Sequence, residues 1–492
     1  MSDLGAAGWL PSRTSRLAKA GFAALGRVLG SRSSPLLRNG NALMANTVVT
    51  GVLGLGYWLL ATRHYDPADV GRASAAYSAM NLLAGITALS LIGAMARFIP
   101  RAGRRTGGLI RLGYGISAVS AVVGSVVFLL IAGRPRTSYA ELAGVRAGLI
   151  FTGCVIVWSL FTLQDGALVG LRKANWVTLE NAVFGVGKIA LLLPLATLLP
   201  HTGLYVSWMA PAALAVPLVN LLIFRWLLPG HDRDAAGQVP PGRGQVGRFL
   251  AGDVPGALLL LATISLVPVL VAMFAAPGMN ACFYMAWAIG VTIDLLGTNM
   301  ALSLTVEGAF DPVRLAGHAR AALRRIVMIV APLALGAVLL AHRLLGLFGP
   351  GYARFGAPIL VLLAVATLPR SLTEIYLGAL RAQNRTCVVA LVQGLRAVLI
   401  LGLTLVLTRS MGIFGAGVAV LISQLIMAAV SLPGLLRVLR ADRRQLARQP
   451  VNQSVNQSVS QSVGQSVGQS VSQSVSQSAA IPSGGQAHGD AL

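Results

Sequence analysis

The chain has 492 residues, of which 55% are hydrophobic and only 11% charged, and its formal net charge is +24. A soluble domain carries about 25% charged residues, so this composition excludes an ordinary soluble enzyme. Together with a mean hydropathy of +0.73, it predicts a membrane protein with many spans. The basic residues lie in short clusters between apolar stretches, which indicates membrane topology and argues against a nucleic-acid partner.

Twelve apolar segments of about 20 residues or slightly more follow one another along the chain. Each is long enough to cross a ~30 Å hydrocarbon core as a helix, and none shows the alternation of a strand. Only helices or closed barrels satisfy the backbone in lipid, so we predict an all-α polytopic protein with twelve transmembrane helices. The segments are 41–62, 73–95, 109–132, 147–169, 176–199, 204–228, 250–275, 280–304, 325–348, 357–380, 386–408 and 412–436.

The basic residues are divided unequally between alternate connections. The two tails and the connections on their side hold 28 Lys and Arg residues, the other connections hold eight, and three lie inside spans. Cytoplasmic connections carry the excess of positive charge. Both termini are therefore predicted to be cytoplasmic, which independently requires an even number of spans.

Two tails flank the predicted spans. Residues 1–38 form a basic N-terminal tail in which we expect no cleaved signal peptide. Residues 441–492 form the C-terminal tail, which contains seven tandem Val-x-Gln-Ser tetrapeptides at 451–478. One valine in four residues buries too little apolar surface to build a core, so we expect this tail to be disordered in the cytoplasm.

An internal repeat relates the two halves of the chain. A gapless shift of 209 positions aligns spans four to six with spans ten to twelve. Besides leucines, it aligns Asp165 with Glu374, Arg172 with Arg381 and Asn175 with Asn384. Because each repeat has an even number of spans, the halves share one orientation and are related by an axis along the membrane normal. We therefore expect two six-helix lobes, 39–230 and 248–440, joined by a cytoplasmic linker at 231–247, with a cavity between the lobes.

Ionisable residues inside the apolar segments are the sharpest functional signal, since an unpaired charge at mid-bilayer costs at least ~2.5 kcal/mol. The sequence contains no zinc-protease, nucleophile-elbow or paired-cysteine motif, so we assign no catalytic residue, metal or cofactor. The candidates are Glu180 and Lys188 in the fifth span, Asp294 in the eighth, Arg370 and Glu374 in the tenth, and Arg396 in the eleventh.

Two of these cations, Lys188 and Arg396, have no acidic residue one helical turn away, so we expect both to face a water-filled cavity. The shift of 209 makes them nearly equivalent, which places one cation on each lobe. Facing cations suit a diphosphate, whose oxygens a guanidinium binds bidentately. Arg370 and Glu374 are four residues apart, and the alternative that they pair and only fix packing stays open.

Three stretches resemble a known family. They are Gly71 to Pro100, ending Ala96-Arg97-Phe98-Ile99-Pro100; Ala281 to Trp287, followed by Ser303 to Gly308; and Phe348-Gly349-Pro350-Gly351-Tyr352, followed by Leu380-Arg381-Ala382-Gln383-Asn384-Arg385. They are similar to Wzx-like oligosaccharide-lipid flippases, the polysaccharide biosynthesis branch of the multidrug/oligosaccharidyl-lipid/polysaccharide (MOP) exporter superfamily. The resemblance covers about residues 39–440.

This resemblance implies a MATE-like, V-shaped pair of lobes in the bacterial cytoplasmic membrane that works by alternating access. It implies that the protein is not an enzyme but moves a polyprenyl-diphosphate-linked oligosaccharide to the outer leaflet, for cell-surface polysaccharide. Partners would be that glycan lipid, the membrane lipids and glycan-assembly proteins. The family assigns no site residue by motif, so charge burial alone nominates Arg370, Arg396 and Lys188 to bind phosphate. Glu374, Asp294 and Glu180 would pair with them or couple ions.

Other functions stay open at this point. A MATE-like drug or cation antiporter on the same scaffold would need essential acids rather than essential cations. A flippase for lipid-linked peptidoglycan precursors would add two further spans, which the sequence lacks. A polytopic membrane glycan-assembly enzyme would need a large outer loop with acids, and the predicted outer connections are short.

Overall fold

The computed structural model describes residues 51–132, 137–234 and 242–447, and the regular structure in these ranges is helical. The predictions for the N-terminal tail and for the Val-x-Gln-Ser repeats lie outside the described residues. We number the helices α1 to α12. They are α1 (51–64), α2 (Pro67–Ala102), α3 (Thr106–Ala132), α4 (Val145–Gly170), α5 (Ala174–Leu198), α6 (Gly203–Leu222), α7 (Arg243–Phe274), α8 (Pro277–Phe310), α9 (Leu315–Gly346), α10 (Pro350–Ala382), α11 (Thr386–Met411) and α12 (Ile413–Ala447).

The chain is an all-helical, multi-pass membrane protein. Over the described ranges, nine helical stretches are long and apolar enough to cross a membrane. Each predicted segment overlaps one of the helices α1 to α12. The count of twelve spans and the cytoplasmic placement of both termini stay predictions.

Proline and glycine fix where several helices begin. Pro67, Pro277 and Pro350 occupy the first turn of α2, α8 and α10, where a missing N–H costs nothing. Gly349, just before α10, has a φ of 136°, which an L-residue with a side chain rarely adopts. These breaks produce the short connections on one end of the bundle.

The predicted linker at 231–247 is partly helical. After α6 the chain continues through a π-helical turn, Ile223–Leu227, into a helix that ends at Asp234, and α7 already begins at Arg243. The His231 side chain hydrogen-bonds the Ile99 carbonyl at 3.0 Å, which holds this extension against the end of α2. Both ends of the predicted linker are therefore helical, and residues 235–241 lie outside the described residues.

The two halves of the chain meet along α2. This helix packs against α3 and α4 of its own half and against α7 and α8 of the other half. In the second half α10 packs against α8, α9 and α12. The largest cluster of buried apolar side chains includes residues of both halves, such as Tyr57, Trp158, Trp208 and Tyr284.

Hydrogen bonds join the halves at the end of the bundle where α1 ends and α2 begins. Asn280 Nδ2 donates to the Gly71 carbonyl at 2.9 Å, and Arg63 Nε donates to the Leu347 carbonyl at 2.8 Å. Ser138 Oγ donates to the Ala275 carbonyl at 3.1 Å. The helices approach so closely that a Cβ at Gly71 would overlap the Pro277 carbonyl. We call this end, defined by these contacts, the closed end.

Two turns show how the internal repeat is built. Arg172 after α4 and Asn384 after α10 are the only described non-glycine residues with positive φ, 60° and 56°. In each turn a backbone N–H reaches back five residues: Lys173 to the Leu168 carbonyl and Arg385 to the Leu380 carbonyl, both at 2.9 to 3.0 Å. The αL residue and this bond define a Schellman motif. The matching turns are 212 positions apart (384 − 172), so the expected gapless register of 209 is wrong here by three residues, nearly one helical turn.

Candidate substrate cavity

A cavity of about 300 Å³ lies between helices of the two halves. It begins beside an aromatic cluster near the closed end, which contains Trp58, Trp208 and Tyr284, and extends past Thr178 and Thr292 toward the opposite end. Ligand pockets have volumes of this order and upward. Its lining comes from α1, α2, α4, α5, α6 and α8: Gly51, Leu53, Gly54, Leu55, Trp58, Tyr77, Trp158, Thr178, Asn181, Ala182, Phe184, Gly185, Lys188, Trp208, Tyr284, Ala288 and Thr292.

Lys188 is held in this cavity by aromatic rings. Its Nζ lies 3.8 Å from the centroid of Trp208, 5.1 Å from that of Tyr57 and 5.2 Å from that of Phe184. Only 6% of the residue is exposed, and among the described residues no carboxylate pairs with it. A desolvated cation over aromatic faces gains about 2 kcal/mol, which partly offsets the cost of its burial.

The walls around this ammonium are held by their own hydrogen bonds. Tyr57 Oη is hydrogen-bonded to Ser207 Oγ at 2.9 Å, and it also donates to the Leu204 carbonyl at 3.2 Å. Trp158 Nε1 donates to Asn81 Oδ1 at 3.3 Å. Of the three rings around the ammonium, Tyr57 is the one fixed by hydrogen bonds. Trp208 is held by ring packing, with its centroid 4.9 Å from that of Tyr57 and 6.0 Å from that of Phe184.

The cavity lining carries a single formal charge. Of the seventeen lining residues, all within the described part of the chain, only Lys188 is a basic or acidic residue; the polar remainder carry amide, hydroxyl or indole groups. An unpaired cation in a water-accessible, mostly apolar cavity favours an anionic ligand. The arrangement can bind a phosphate or carboxylate group at Lys188, and Asn181, Thr178 and Thr292 are neutral hydrogen-bonding groups elsewhere along the same lining.

The other predicted cations lie elsewhere, in two ion pairs among α8, α10 and α11. Arg396 Nη1 contacts Glu374 Oε1 at 2.5 Å, and Arg370 Nη1 contacts Asp294 Oδ2 at 2.9 Å. A second nitrogen of Arg396 lies 3.5 Å from Thr263 Oγ1 on α7. The expectation that Arg396 is unpaired and faces a water-filled cavity is wrong: it is 1% exposed and neutralised by Glu374. Arg370 finds its partner on α8 rather than at Glu374, four residues away on its own helix.

The register of the repeat explains this difference. Lys188 is fourteen residues beyond the start of α5, whereas Arg396 is ten residues beyond the start of α11. At 1.5 Å per residue, the two cations differ in depth by about 6 Å. The gapless alignment made them equivalent, but the helices that carry them begin 212 positions apart (386 − 174). They therefore do not form the facing pair that the shift of 209 suggested.

Glu180 also separates from Lys188, although both are on α5. Glu180 lines a second, apolar groove between α5 and α6, whereas Lys188 lines the cavity between the halves. Eight residues along a helix turn the side chain by about 80°, enough to place the two residues on different sides of α5. Both carboxylate oxygens of Glu180 are buried without a hydrogen-bond partner among the described residues.

Sequence reasoning missed the aromatic cage. Tyr57, Phe184 and Trp208 come from three helices, so no spacing along the chain joins them. One local signal was available: Phe184 precedes Lys188 by four residues and so lies on the same face of α5. The partner rings on α1 and α6 required the tertiary structure.

Comparisons with known proteins agree on the fold. No protein-family model matches the sequence, and no curated protein matches it. Among solved structures, an inward-facing multidrug resistance MATE family transporter of the MOP superfamily is 16% identical, with a TM-score of 0.59, over 86% of this chain and 99% of that one. An outward-facing MATE family transporter of the same superfamily is 18% identical, with a TM-score of 0.56, over 84% of this chain and 98% of that one.

A third similar structure is a MOP superfamily transporter from Pyrococcus furiosus, at 15% identity and a TM-score of 0.57, covering 85% of this chain and 98% of that one. It is described as having a binding pocket of reversed polarity that suggests a different function. These likenesses show that the chain has a MATE-like fold.

Proposed function

We propose that this protein is a flippase that moves a polyprenyl-diphosphate-linked oligosaccharide across the bacterial cytoplasmic membrane by alternating access, for cell-surface polysaccharide synthesis. The MATE-like fold supports membrane transport, and the three family-like sequence stretches support the flippase branch. The observation that carries the proposal is the composition of the cavity: Lys188 is the one basic residue, and no acidic residue stands among its described lining residues.

An organic-cation exporter and a glycan-lipid flippase make opposite demands on this cavity. A cationic substrate needs an acid that faces it, because transfer of an unpaired charge from water is costly. A diphosphate needs a cation and hydrogen-bond donors. The cavity offers Lys188 and neutral polar groups, so it suits the anion. In the Pyrococcus furiosus neighbour, too, the polarity of the pocket is what suggested a different function.

In the proposed mechanism, the headgroup enters from the end opposite the closed end while the polyprenyl chain stays in lipid. Lys188 binds phosphate, and the aromatic rings around it offer faces against which a sugar ring can pack. With cytoplasmic termini, the closed end faces outward, and the structure corresponds to an inward-facing state. Release requires the Asn280–Gly71 and Ser138–Ala275 contacts to break and the cavity to close on the cytoplasmic side.

The two ion pairs receive a different role from the one first expected. Arg370 and Arg396 are already neutralised by Asp294 and Glu374, so their direct binding of phosphate would first require those pairs to open. We propose that the two ion pairs hold α8, α10 and α11 together while the lobes rock. Ion coupling would then act by making the arginines and the acids exchange partners.

A drug or cation antiporter is equally consistent with the fold itself. It differs in needing an acidic group, rather than a basic one, to face the substrate. A membrane glycan-assembly enzyme is a further alternative; it predicts a catalytic acid rather than a transport site.

The decisive experiment is a glycan profile of a deletion strain complemented with single variants. Deletion should cause lipid-linked oligosaccharide to accumulate on the inner leaflet and surface glycan to disappear. Wild type and Arg146→Gln, an exposed arginine at the start of α4, should restore export, whereas Lys188→Gln at equal protein level should not. An unchanged glycan with increased sensitivity to cationic drugs would favour the antiporter. Loss of the oligosaccharide itself, without accumulation, would favour the enzyme.

A further inference from the structure

A groove of about 660 Å³ runs between α5 and α6, on the other side of α5 from the substrate cavity. Its floor includes Leu168 of α4. Val183, Leu214 and Leu218 on its walls are all more than half exposed, which in a membrane protein means that the groove opens to lipid. The lining is apolar except for one residue: Leu168, Trp176, Leu179, Glu180, Val183, Phe184, Gly187, Ala190, Leu191, Ala210, Pro211, Leu214, Ala215, Leu218, Val219, Leu222 and Trp226.

The exception, Glu180, is unsatisfied. The residue is 7% exposed, and neither carboxylate oxygen has a hydrogen-bond partner among the described residues. The ionisable groups that act on it electrostatically are Asp165 and Tyr114, neither of which supplies a positive charge. A buried carboxylate costs several kcal/mol unless it is paired and hydrogen-bonded. Within the described structure, the groove thus presents a carboxyl group with no hydrogen-bond partner, which a cationic donor from outside would satisfy.

The ends of the groove define where such a donor would come from. Trp176 and Trp226 line the same end, and tryptophan marks the depth of the lipid headgroups. Glu180 is four residues further along α5 than Trp176, about 6 Å deeper. Exposed basic residues adjoin that end: Lys173 directly precedes α5, and Arg225 directly precedes Trp226.

The length of the groove suits a hydrocarbon chain. Its α5 wall runs from Trp176 to Leu191, fifteen residues or about 22 Å. This exceeds the thickness of one leaflet, half of a ~30 Å hydrocarbon core. A ligand that fits all three features has an apolar chain, a donor cation that reaches Glu180, and a negative group near the basic residues at the mouth.

We propose that this groove binds one phospholipid with a primary-amine headgroup. Its ammonium group pairs with Glu180, its phosphate lies at the mouth near Lys173 and Arg225, and one acyl chain lies between α5 and α6. The site is separate from the substrate cavity and does not depend on the transport function proposed above. Phe184 lines both spaces, so occupancy of the groove bears directly on one wall of the Lys188 cage.

The test is native mass spectrometry of the purified full-length protein. It is delipidated and offered equimolar phosphatidylethanolamine, phosphatidylcholine and phosphatidylglycerol with identical acyl chains. We expect wild type to retain phosphatidylethanolamine about tenfold more than phosphatidylglycerol, a difference of about 1.4 kcal/mol. Glu180→Gln should abolish this preference. Glu141→Gln, an acid outside the groove whose side chain is 63% exposed, should keep it.

Groove-filling variants provide a second measurement that does not require Glu180→Gln to fold. Val183→Trp and Leu214→Trp change exposed positions and should reduce retention of all three lipids at this site. Equal retention of phosphatidylethanolamine and phosphatidylglycerol by wild type would overturn the proposal. So would a preference that survives Glu180→Gln, or retention that both tryptophan variants leave unchanged. If phosphatidylcholine binds as well as phosphatidylethanolamine, the requirement for a primary amine is wrong.

Discussion

The Arg396 guanidinium and the Glu374 carboxylate form an ion pair inside the helix bundle, with 2.5 Å between Nη1 and Oε1 and only 1% and 5% of the two side chains exposed. Removing one member leaves an uncompensated buried charge, which costs about 3–5 kcal/mol. We therefore expect Glu374→Leu or Arg396→Met alone to lower the free energy of unfolding by that amount in detergent micelles. The double variant should lose much less. Additive losses in this double-mutant cycle would contradict the pairing.

The Arg370–Asp294 pair should respond more weakly. Its side chains remain 15% and 16% exposed, so the solvent screens part of the lost interaction. Asp294→Asn is expected to cost about 1.5–3 kcal/mol, the range for a hydrogen bond to a charged group. Asp311→Asn, which breaks the exposed 3.7 Å pair with Arg314, is the control and should cost under ~1 kcal/mol. Thermal unfolding should therefore rank the three variants, with Glu374→Leu the least stable, Asp294→Asn intermediate and Asp311→Asn the most stable.

Trp208 should shield Lys188 from water-soluble reagents. The ammonium lies 3.8 Å from the Trp208 ring centroid, and that contact is worth about 2 kcal/mol when desolvated. In Trp208→Ala we expect amine-reactive labelling of Lys188 to become at least about tenfold faster, as measured by peptide mass spectrometry. Trp226→Ala, which removes a tryptophan that is 68% exposed, should leave the rate unchanged. Equal rates in all three proteins would mean that the cage does not protect the lysine.

Gly71 lies at the closed end, where its carbonyl accepts a hydrogen bond from Asn280. We expect it to control whether that end stays closed. A Cβ there would overlap the Pro277 carbonyl, and overpacking of this kind costs about 1–3 kcal/mol. Because only the closed arrangement suffers, Gly71→Ala should shift the population toward opening at that end. In a background with the three cysteines changed to serine, Thr292→Cys in the cavity should then react faster with an impermeant thiol reagent added outside.

Gly278→Ala is the matched control for this shift. The nearest atom to a Cβ at Gly278 is a Pro67 carbon at 3.9 Å, an ordinary contact. Labelling of Cys at position 292 should therefore match that of the parent protein. If Gly71→Ala and Gly278→Ala behave alike, the close approach at Gly71 does not hold the gate.

Much of the fold is predictable from sequence, because the length of an apolar segment and the prolines at which helices begin are local properties of the chain. The apolar segments place a helix in every predicted region, and Pro67, Pro277 and Pro350 mark three of the starts. The helix ends are less predictable, since α2 runs on to Ala102 and α12 to Ala447, beyond the apolar stretches that lie in lipid. Polar helical extensions carry no hydropathy signal.

The site was only partly predictable because burial by itself does not say what a charge faces. Composition and hydropathy singled out all three cations, Lys188, Arg370 and Arg396, and the local sequence offered an acidic partner only to Arg370. Their difference depends on which acids lie on neighbouring helices, and a three-residue error in the register of the repeat was enough to pair Lys188 wrongly with Arg396. Asp294 and Glu374 neutralise the two arginines through contacts between helices, which a one-dimensional pattern does not contain.

The closed end has a consequence for what can drive the transport cycle. Its acceptors are main-chain carbonyls, those of Gly71, Ala275 and Leu347, and its donors are an amide, a hydroxyl and a guanidinium. None of these groups changes its protonation state in the physiological range. These three bonds are therefore insensitive to the acidity of the medium they face. Deeper in the described part of the bundle, Glu374 and Asp294 are carboxylates at which a proton gradient could act on the cycle.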